Sequence, residues 1–319
     1  MIMMTRLSLS GPFLLLSLTM LNAPVVLAQT KTVSAAEAQT FVERAAAAAF
    51  AKFPSLKTNE LAITFDFFNQ SQGIVHGRFR GDARIYPASV IKLFYLEAAH
   101  RWMEEGKIVD TPELRRALKD MIVESYNEAT HYVVDVLTGT TSGPELPPQE
   151  MAVWMEKRNA VNRYFAGRGF RDINANQKPW CEGPYGRERA FVGETYTNRN
   201  ALTTDATARL LTEIARGEAV TPARSQQMLE LLKRDPFSAS NEDGQSKGFT
   251  GKGLPPGSLL WSKAGWTSTT RHDAARVKLE TGEEFVLVTF TVNHATEREI
   301  IPTVARTIIS EIQSVPRER

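Results

Sequence analysis

The sequence predicts an α/β chain of the α+β type, with one five-stranded sheet flanked by helices and strands drawn from both ends of the chain. Three observations predict it. Strand patterns occupy 61–67 and 74–80 near the start, and 259–263, 274–279 and 285–292 near the end. Helical patterns fill most of the sequence between them. No internal repeat and no linker divides the 319 residues, of which 42% are hydrophobic, enough for a large core.

Each element has a local reason. Ser34-Ala35-Ala36-Glu37 is a capping box, and an Ala-rich helix follows to about Lys52. The two early strands are separated by a turn at 69–73. A helix is expected over 88–105, stopped by Gly106, and another from Thr111-Pro112-Glu113, with Thr as N-cap and Pro in the first turn. Further helical patterns cover 127–137, ending at Gly139, and 151–166; 140–148 is a loop rich in Gly, Pro, Ser and Thr. Residues 172–200 lack periodicity, and long irregular segments of this kind often carry function. Helices resume at 205–216 and 222–233, Thr281-Gly282 turns the last two strands, and a final helix covers 297–313.

Composition narrows the function. With 38 basic and 36 acidic residues the charge is nearly balanced, against a nucleic-acid-binding chain. One cysteine excludes an intramolecular disulfide and every multi-cysteine zinc or iron–sulfur site, and Cys181 reads as a free, buried thiol. Arg6, the apolar run 12–21 and Val26-Leu27-Ala28 before Gln29 have the layout of a signal peptide, 1–28. A membrane anchor is the alternative, although the run is shorter than the roughly 20 residues that span a bilayer. The expected mature chain, 29–319, is secreted or periplasmic and free of the membrane after cleavage.

Three motifs, each unique in the chain, carry chemistry. Ser89-Val90-Ile91-Lys92 places a serine and a lysine on one face of a helix start, where the amine reaches the hydroxyl and backbone N–H groups face a developing oxyanion. Ser125-Tyr126-Asn127 offers a proton-relaying hydroxyl and a carbonyl-holding amide. Lys263-Ala264-Gly265, at a strand end, offers a positive charge beside a backbone open to close approach. Taken singly, the plainer readings are a cap, a second cap and a strand-end lysine.

In this order the motifs resemble the penicillin-recognising serine hydrolases, class A β-lactamases being the most similar branch. Tyr86-Pro87-Ala88-Ser89, Thr204-Asp205-Ala206-Thr207-Ala208 with Leu210-Leu211 and Thr221-Pro222, and Gly253-Leu254-Pro255-Pro256-Gly257 extend the resemblance over nearly all of 29–319. It implies a β-lactamase/transpeptidase-like fold: an antiparallel five-stranded sheet flanked by helices plus an all-helical lobe, in one catalytic domain. It implies that Ser89 is acylated, Lys92 manages its proton, Ser125 protonates the departing nitrogen, and Lys263 bonds Ser125 and biases the potential. Asn127 would orient the substrate amide, the N–H groups of Ser89 and Trp266 would form the oxyanion hole, and Gly265, Thr267 and Arg271 would line the substrate site. The implied partner is a small-molecule β-lactam or a peptidoglycan peptide, acted on by a monomer with no cofactor and no metal.

The sequence departs from that pattern in three places. Tyr126 replaces an aspartate, and Ala264 replaces a hydroxyl residue for which Thr267 or Ser268 would compensate. The family's water-activating glutamate motif is absent, leaving Glu182, Glu188 and Glu194 as alternatives for the deacylating base. An enzyme that acylates without activating water would be a penicillin-binding peptidase, not a resistance enzyme. The leading expectation is a serine β-lactamase. Its rivals are a D-alanyl-D-alanine peptidase on the same residues and an inactive module that binds cell-wall fragments.

Other chemistries fit poorly. Gly244-Gln245-Ser246-Lys247-Gly248 lacks the strand and helix of a nucleophile elbow and reads as a flexible loop. No His-Glu-x-x-His occurs, and His76, His100, His131, His272 and His294 read as structural or surface residues.

Overall fold

The computed structural model describes residues 31–69, 73–181, 183–238 and 244–317. The expected signal segment 1–28 lies outside the described residues. Among the described residues six strands form one antiparallel sheet: β1 Leu61–Asn69, β2 Gly73–Phe79, β3 Lys233–Arg234, β4 Leu259–Trp266, β5 Thr270–Lys278 and β6 Glu284–Val292. Their order is β2-β1-β6-β5-β4-β3, so the early hairpin meets the last strand in the middle of the sheet. The expected five strands become six because Lys233 and Arg234 pair with Trp261 and Leu260. Two charged residues at a helix end have no period-2 pattern to betray a strand.

The helices are α1 Ala35–Lys52, α2 Lys92–Glu104, α3 Pro112–Lys119, α4 Asn127–Thr138, α5 Pro148–Arg158, α6 Ala160–Gly167, α7 Gly186–Val192, α8 Thr204–Ala215, α9 Pro222–Leu232 and α10 Ile300–Ser314. The Ser34–Glu37 capping box starts α1 as expected. Several boundaries differ from the sequence reading: α5 starts at Pro148, β4 runs on to Trp266 and β5 starts at Thr270. A 3₁₀ turn, Ala88–Ile91, precedes α2, and the expected helix 151–166 breaks at Asn159, which is off the helical conformation. The irregular segment 172–200 contains α7, and the last helix starts at Ile300.

The sheet separates two cores, and the alternation of β6 shows how. Phe285 and Leu287 pack with β1 residues Leu61, Ile63, Phe65 and Phe67 beneath α1 and α10. Val286, Val288 and Phe290 face the other way, toward α2 and α8. That alternation is the period of a strand buried on both faces. On the second face α2 is surrounded: every residue from Val90 to His100 is buried. The nucleophile candidate therefore stands at the head of a helix that cannot move independently of the sheet. No helix among the described residues is long and apolar enough to cross a membrane.

Candidate active site

Ser89 lies in the 3₁₀ turn that feeds α2 and is half-buried. The residue before it, Ala88, has φ 46°, a left-handed conformation that costs an L-residue about 1–3 kcal/mol. Two contacts hold this strained turn in place. The buried His272 ring accepts from the Thr291 N–H at Nδ1 (3.1 Å), so its Nε2 carries the proton and donates to the Tyr86 carbonyl at 2.9 Å. Burial pushes the His272 pKa down to about 4, which keeps that neutral tautomer. From the other side β4 presses on the turn at Gly265, where a Cβ would lie 2.7 Å from the Pro87 oxygen and 2.8 Å from the Ser89 nitrogen. Only glycine permits this approach.

Lys92, the first residue of α2, is fully buried. Its Nζ donates to the Ser125 carbonyl (2.6 Å), the Ser125 Oγ (3.3 Å) and Asn127 Oδ1 (2.8 Å). All three bonds end on uncharged oxygens, and burial pulls the amine down to about 7.

Ser125 closes a π-helical turn, Asp120–Glu124, with φ 60° and ψ 30°. This left-handed corner turns its hydroxyl between two lysines, because Lys263 Nζ, fully buried at β4, donates to the same Oγ at 2.9 Å. Lys263 also donates to Gln245 Oε1 (2.5 Å) and the Ala264 carbonyl (2.7 Å). A hydroxyl has two acceptor lone pairs and one proton. With both lone pairs facing lysine amines, the Ser125 proton is left to point into the cleft. Asn127 begins α4, and its Nδ2 donates to the Trp180 carbonyl at 2.7 Å, tying segment 172–200 to the cluster.

Residues 69–312 match a family model described as the β-lactamase enzyme family. The chain belongs to the β-lactamase enzyme family. A β-lactamase from Sphaerobacter thermophilus superposes with a TM-score of 0.61 at 20% identity, over 85% of this chain and 98% of that one. A PBP-A mutant, solved as an acyl-enzyme complex with penicillin G, gives 0.62 at 18% identity over 86% and 97%. A variant of the last common ancestor of Gram-negative bacteria β-lactamase class A gives 0.59 at 19% over 85% and 97%. No curated protein sequence matches the chain. The fold is β-lactamase/transpeptidase-like.

Against this β-lactamase frame the two altered motif positions are plain. Ala264 is fully buried and packs with Phe249 and Ile301, so no hydroxyl faces the cleft from it. Tyr126 is exposed. Beyond β4, Trp266, Thr267, Ser268, Lys247, Arg271 and Arg298 line a cavity of about 580 Å³ that no acidic residue lines among the described residues. Arg271 stacks over the Phe249 ring at 3.9 Å and donates from Nε to the Gly248 carbonyl at 3.0 Å. Burial and the neighbouring Arg298 lower it to about 10.

The three alternative glutamates separate. Glu188 is buried and grips the fully buried Arg158, Oε1 to Nη2 at 2.8 Å and Oε2 to Nη1 at 3.0 Å, while Ser142 donates to it at 2.9 Å. The sequence offered it as a water-activating base; the structure spends its carboxylate on a bidentate ion pair that holds segment 172–200. Glu194 is exposed in the turn after α7. Glu182 lies outside the described residues. Cys181 is exposed, not buried as expected, and its Sγ lies 3.7 Å from His131 Nε2.

Two residues of the site escape sequence reasoning. Gln245, read as part of a flexible loop, is buried and anchors Lys263 while donating to the Ile122 and Val123 carbonyls. His272, read as an ordinary structural residue, locks the approach to Ser89. Neither carries a spacing signal, since each acts through a contact between distant segments.

Proposed function

We propose that the chain is an exported serine hydrolase that opens β-lactams through an acyl-serine at Ser89, with residues 29–319 as one two-lobed catalytic domain. One observation carries the reading: Ser125 Oγ sits between Lys92 and Lys263, at 3.3 and 2.9 Å. In this reading neutral Lys92 takes the Ser89 proton as Oγ attacks the β-lactam carbonyl. The carbonyl oxygen becomes an oxyanion facing the Ser89 and Trp266 N–H groups. When the C–N bond breaks, Ser125 gives its proton to the nitrogen and is reprotonated from Lys92. Positive potential from Lys263 and Arg271 holds the substrate carboxylate.

With Glu188 committed to Arg158, water activation in this proposal falls to Glu182 or Glu194, and hydrolysis of the acyl-enzyme is the slow step. That commitment also favours a second reading on the same residues, a D-alanyl-D-alanine peptidase trapped by penicillin. A PBP-A mutant of this fold has been solved as an acyl-enzyme complex with penicillin G.

Intact-mass spectrometry over time after mixing with benzylpenicillin tests the proposal. A single adduct that forms on the wild type, decays slowly and is absent from Ser89→Ala is expected. An unmodified wild type that also fails to turn over a chromogenic cephalosporin would refute it and leave the inactive wall-fragment binding module. Release of D-alanine from a D-alanyl-D-alanine peptide, with an adduct that never decays, would select the peptidase.

A further inference from the structure

A second cationic cavity adjoins the site, on the other side of the turn between β4 and β5. Its volume is about 610 Å³, and Arg80, Arg84, Arg199, Tyr86, Trp180 and residues 267–270 contribute to its lining. No Asp or Glu lines it among the described residues. The three arginines differ in what they do. Arg80 donates to the Thr58 and Leu61 carbonyls and supports the wall. Arg199 lies flat on the Tyr86 ring, its Cζ 3.5 Å from the centroid, with a buried Nε that bonds nothing among the described residues. Arg84 is exposed, and among the described residues neither it nor Arg199 forms a side-chain hydrogen bond or ion pair with an acid. A stacked guanidinium keeps its in-plane donors for a carboxylate.

Position gives the cavity its role. Tyr86 is three residues before Ser89, and Thr267 and Ser268 form a ridge shared with the first cavity. The first cavity, with Arg271, takes the carboxylate of the β-lactam nucleus in the proposed function. Trp180, whose carbonyl holds Asn127, walls the second cavity, which places it at the acyl side chain.

We propose that this cavity is a subsite for an anionic acyl side chain, so that the preferred substrate carries one carboxylate at each end. The inference rests on the proposed acyl-serine at Ser89. A carboxylated β-lactam side chain and an acidic wall peptide share this chemistry.

The test compares second-order acylation rates for benzylpenicillin and for the same penicillin carrying a carboxylate on its benzylic carbon. The wild type should favour the dianion about five- to tenfold at low salt, and the preference should shrink at high salt. Arg199→Gln and Arg84→Gln should each lower the dianion rate and leave the benzylpenicillin rate unchanged. Arg84, which is exposed, keeps the test readable if Arg199→Gln loosens Tyr86. A parallel pair, D-alanyl-D-alanine peptides carrying glutamate or glutamine, assayed by D-alanine release, identifies the source: a glutamate preference there makes the wall peptide the ligand, and a preference confined to the penicillins makes it the β-lactam. Equal rates within each pair, or variants that slow both members equally, would overturn the subsite while leaving Ser89 acylation intact. No acylation by either penicillin and no D-alanine release would sink both proposals together.

Discussion

Replacing Glu188 by glutamine separates two roles that the sequence could not. In the structure its carboxylate spans both terminal nitrogens of Arg158, at 2.8 and 3.0 Å, and Lys178 stands 3.8 Å away. The Arg158 side chain is 0% exposed and that of Glu188 9%, so solvent cannot replace the lost partner. Breaking a buried pair of this kind costs roughly 3–5 kcal/mol, mostly from the charge left behind. For a domain of this size that corresponds to a fall in melting temperature of roughly 6–15 °C. Asp135, 3.5 Å from Arg158, takes up part of the charge and places the effect toward the low end. The assay is a thermal melt alongside the rates of acylation and deacylation by benzylpenicillin, measured well below the melt. A lower melting temperature with an acyl-enzyme lifetime within about threefold of wild type is expected. A melt within a degree of wild type, together with an acyl-enzyme that survives a hundred times longer, would refute the reasoning and make Glu188 the water-activating base.

Two further predictions bear on the nucleophile. With Lys92 lowered by burial to about 7, the neutral amine grows as pH rises, so the acylation rate should climb about tenfold per unit below pH 7 and level off above it; a rate flat from pH 5 to 9 would exclude Lys92 as the base. The same depression means that the folded chain binds fewer protons than the unfolded chain between about pH 7 and the ordinary lysine value of 10.5. The Lys92 contribution to stability is therefore fully present above about pH 10.5 and is lost as pH falls from there to about 7. Gly265→Ala would put a methyl group 2.7–2.8 Å from three backbone atoms of the Ser89 turn, so strand or turn must shift. A stability loss of about 1–3 kcal/mol and an acylation rate lower by about 100-fold are expected, from a melt and stopped-flow labelling; acylation within threefold of wild type would show that the close approach is dispensable.

Much of the fold was legible because strands buried on both faces and capped helices leave periodic marks. The capping box at Ser34, the proline start at Pro112 and the β5–β6 turn at 281–282 all stand where the pattern put them. What escaped has no local mark. β3 is two charged residues, and Asn159 breaks a helix without glycine or proline. In the site, Ser89, Lys92, Ser125, Asn127 and Lys263 were legible as short strings. Whether a glutamate such as Glu188 stays available was not, since that depends on Arg158, thirty residues away on another helix.

The chain's small net charge hides a local imbalance that explains how the site works. Lys92 is fully buried, yet its bonds to Ser125 and Asn127 all end on neutral oxygens. Neutral acceptors satisfy an ammonium's hydrogen bonds without cancelling its charge. When protonated, Lys92 therefore adds positive potential to the cleft before substrate enters, reinforced by Arg271. That potential has two effects of one origin. It holds an anionic substrate, and each cation raises the cost of protonating its neighbours, so a bound carboxylate would push Lys92 back up. Acylation should then show a higher apparent pKa in the substrate complex than in the free enzyme. The size of that difference measures how closely the substrate carboxylate approaches Lys92; identical values would mean that the anion and the base do not share a field.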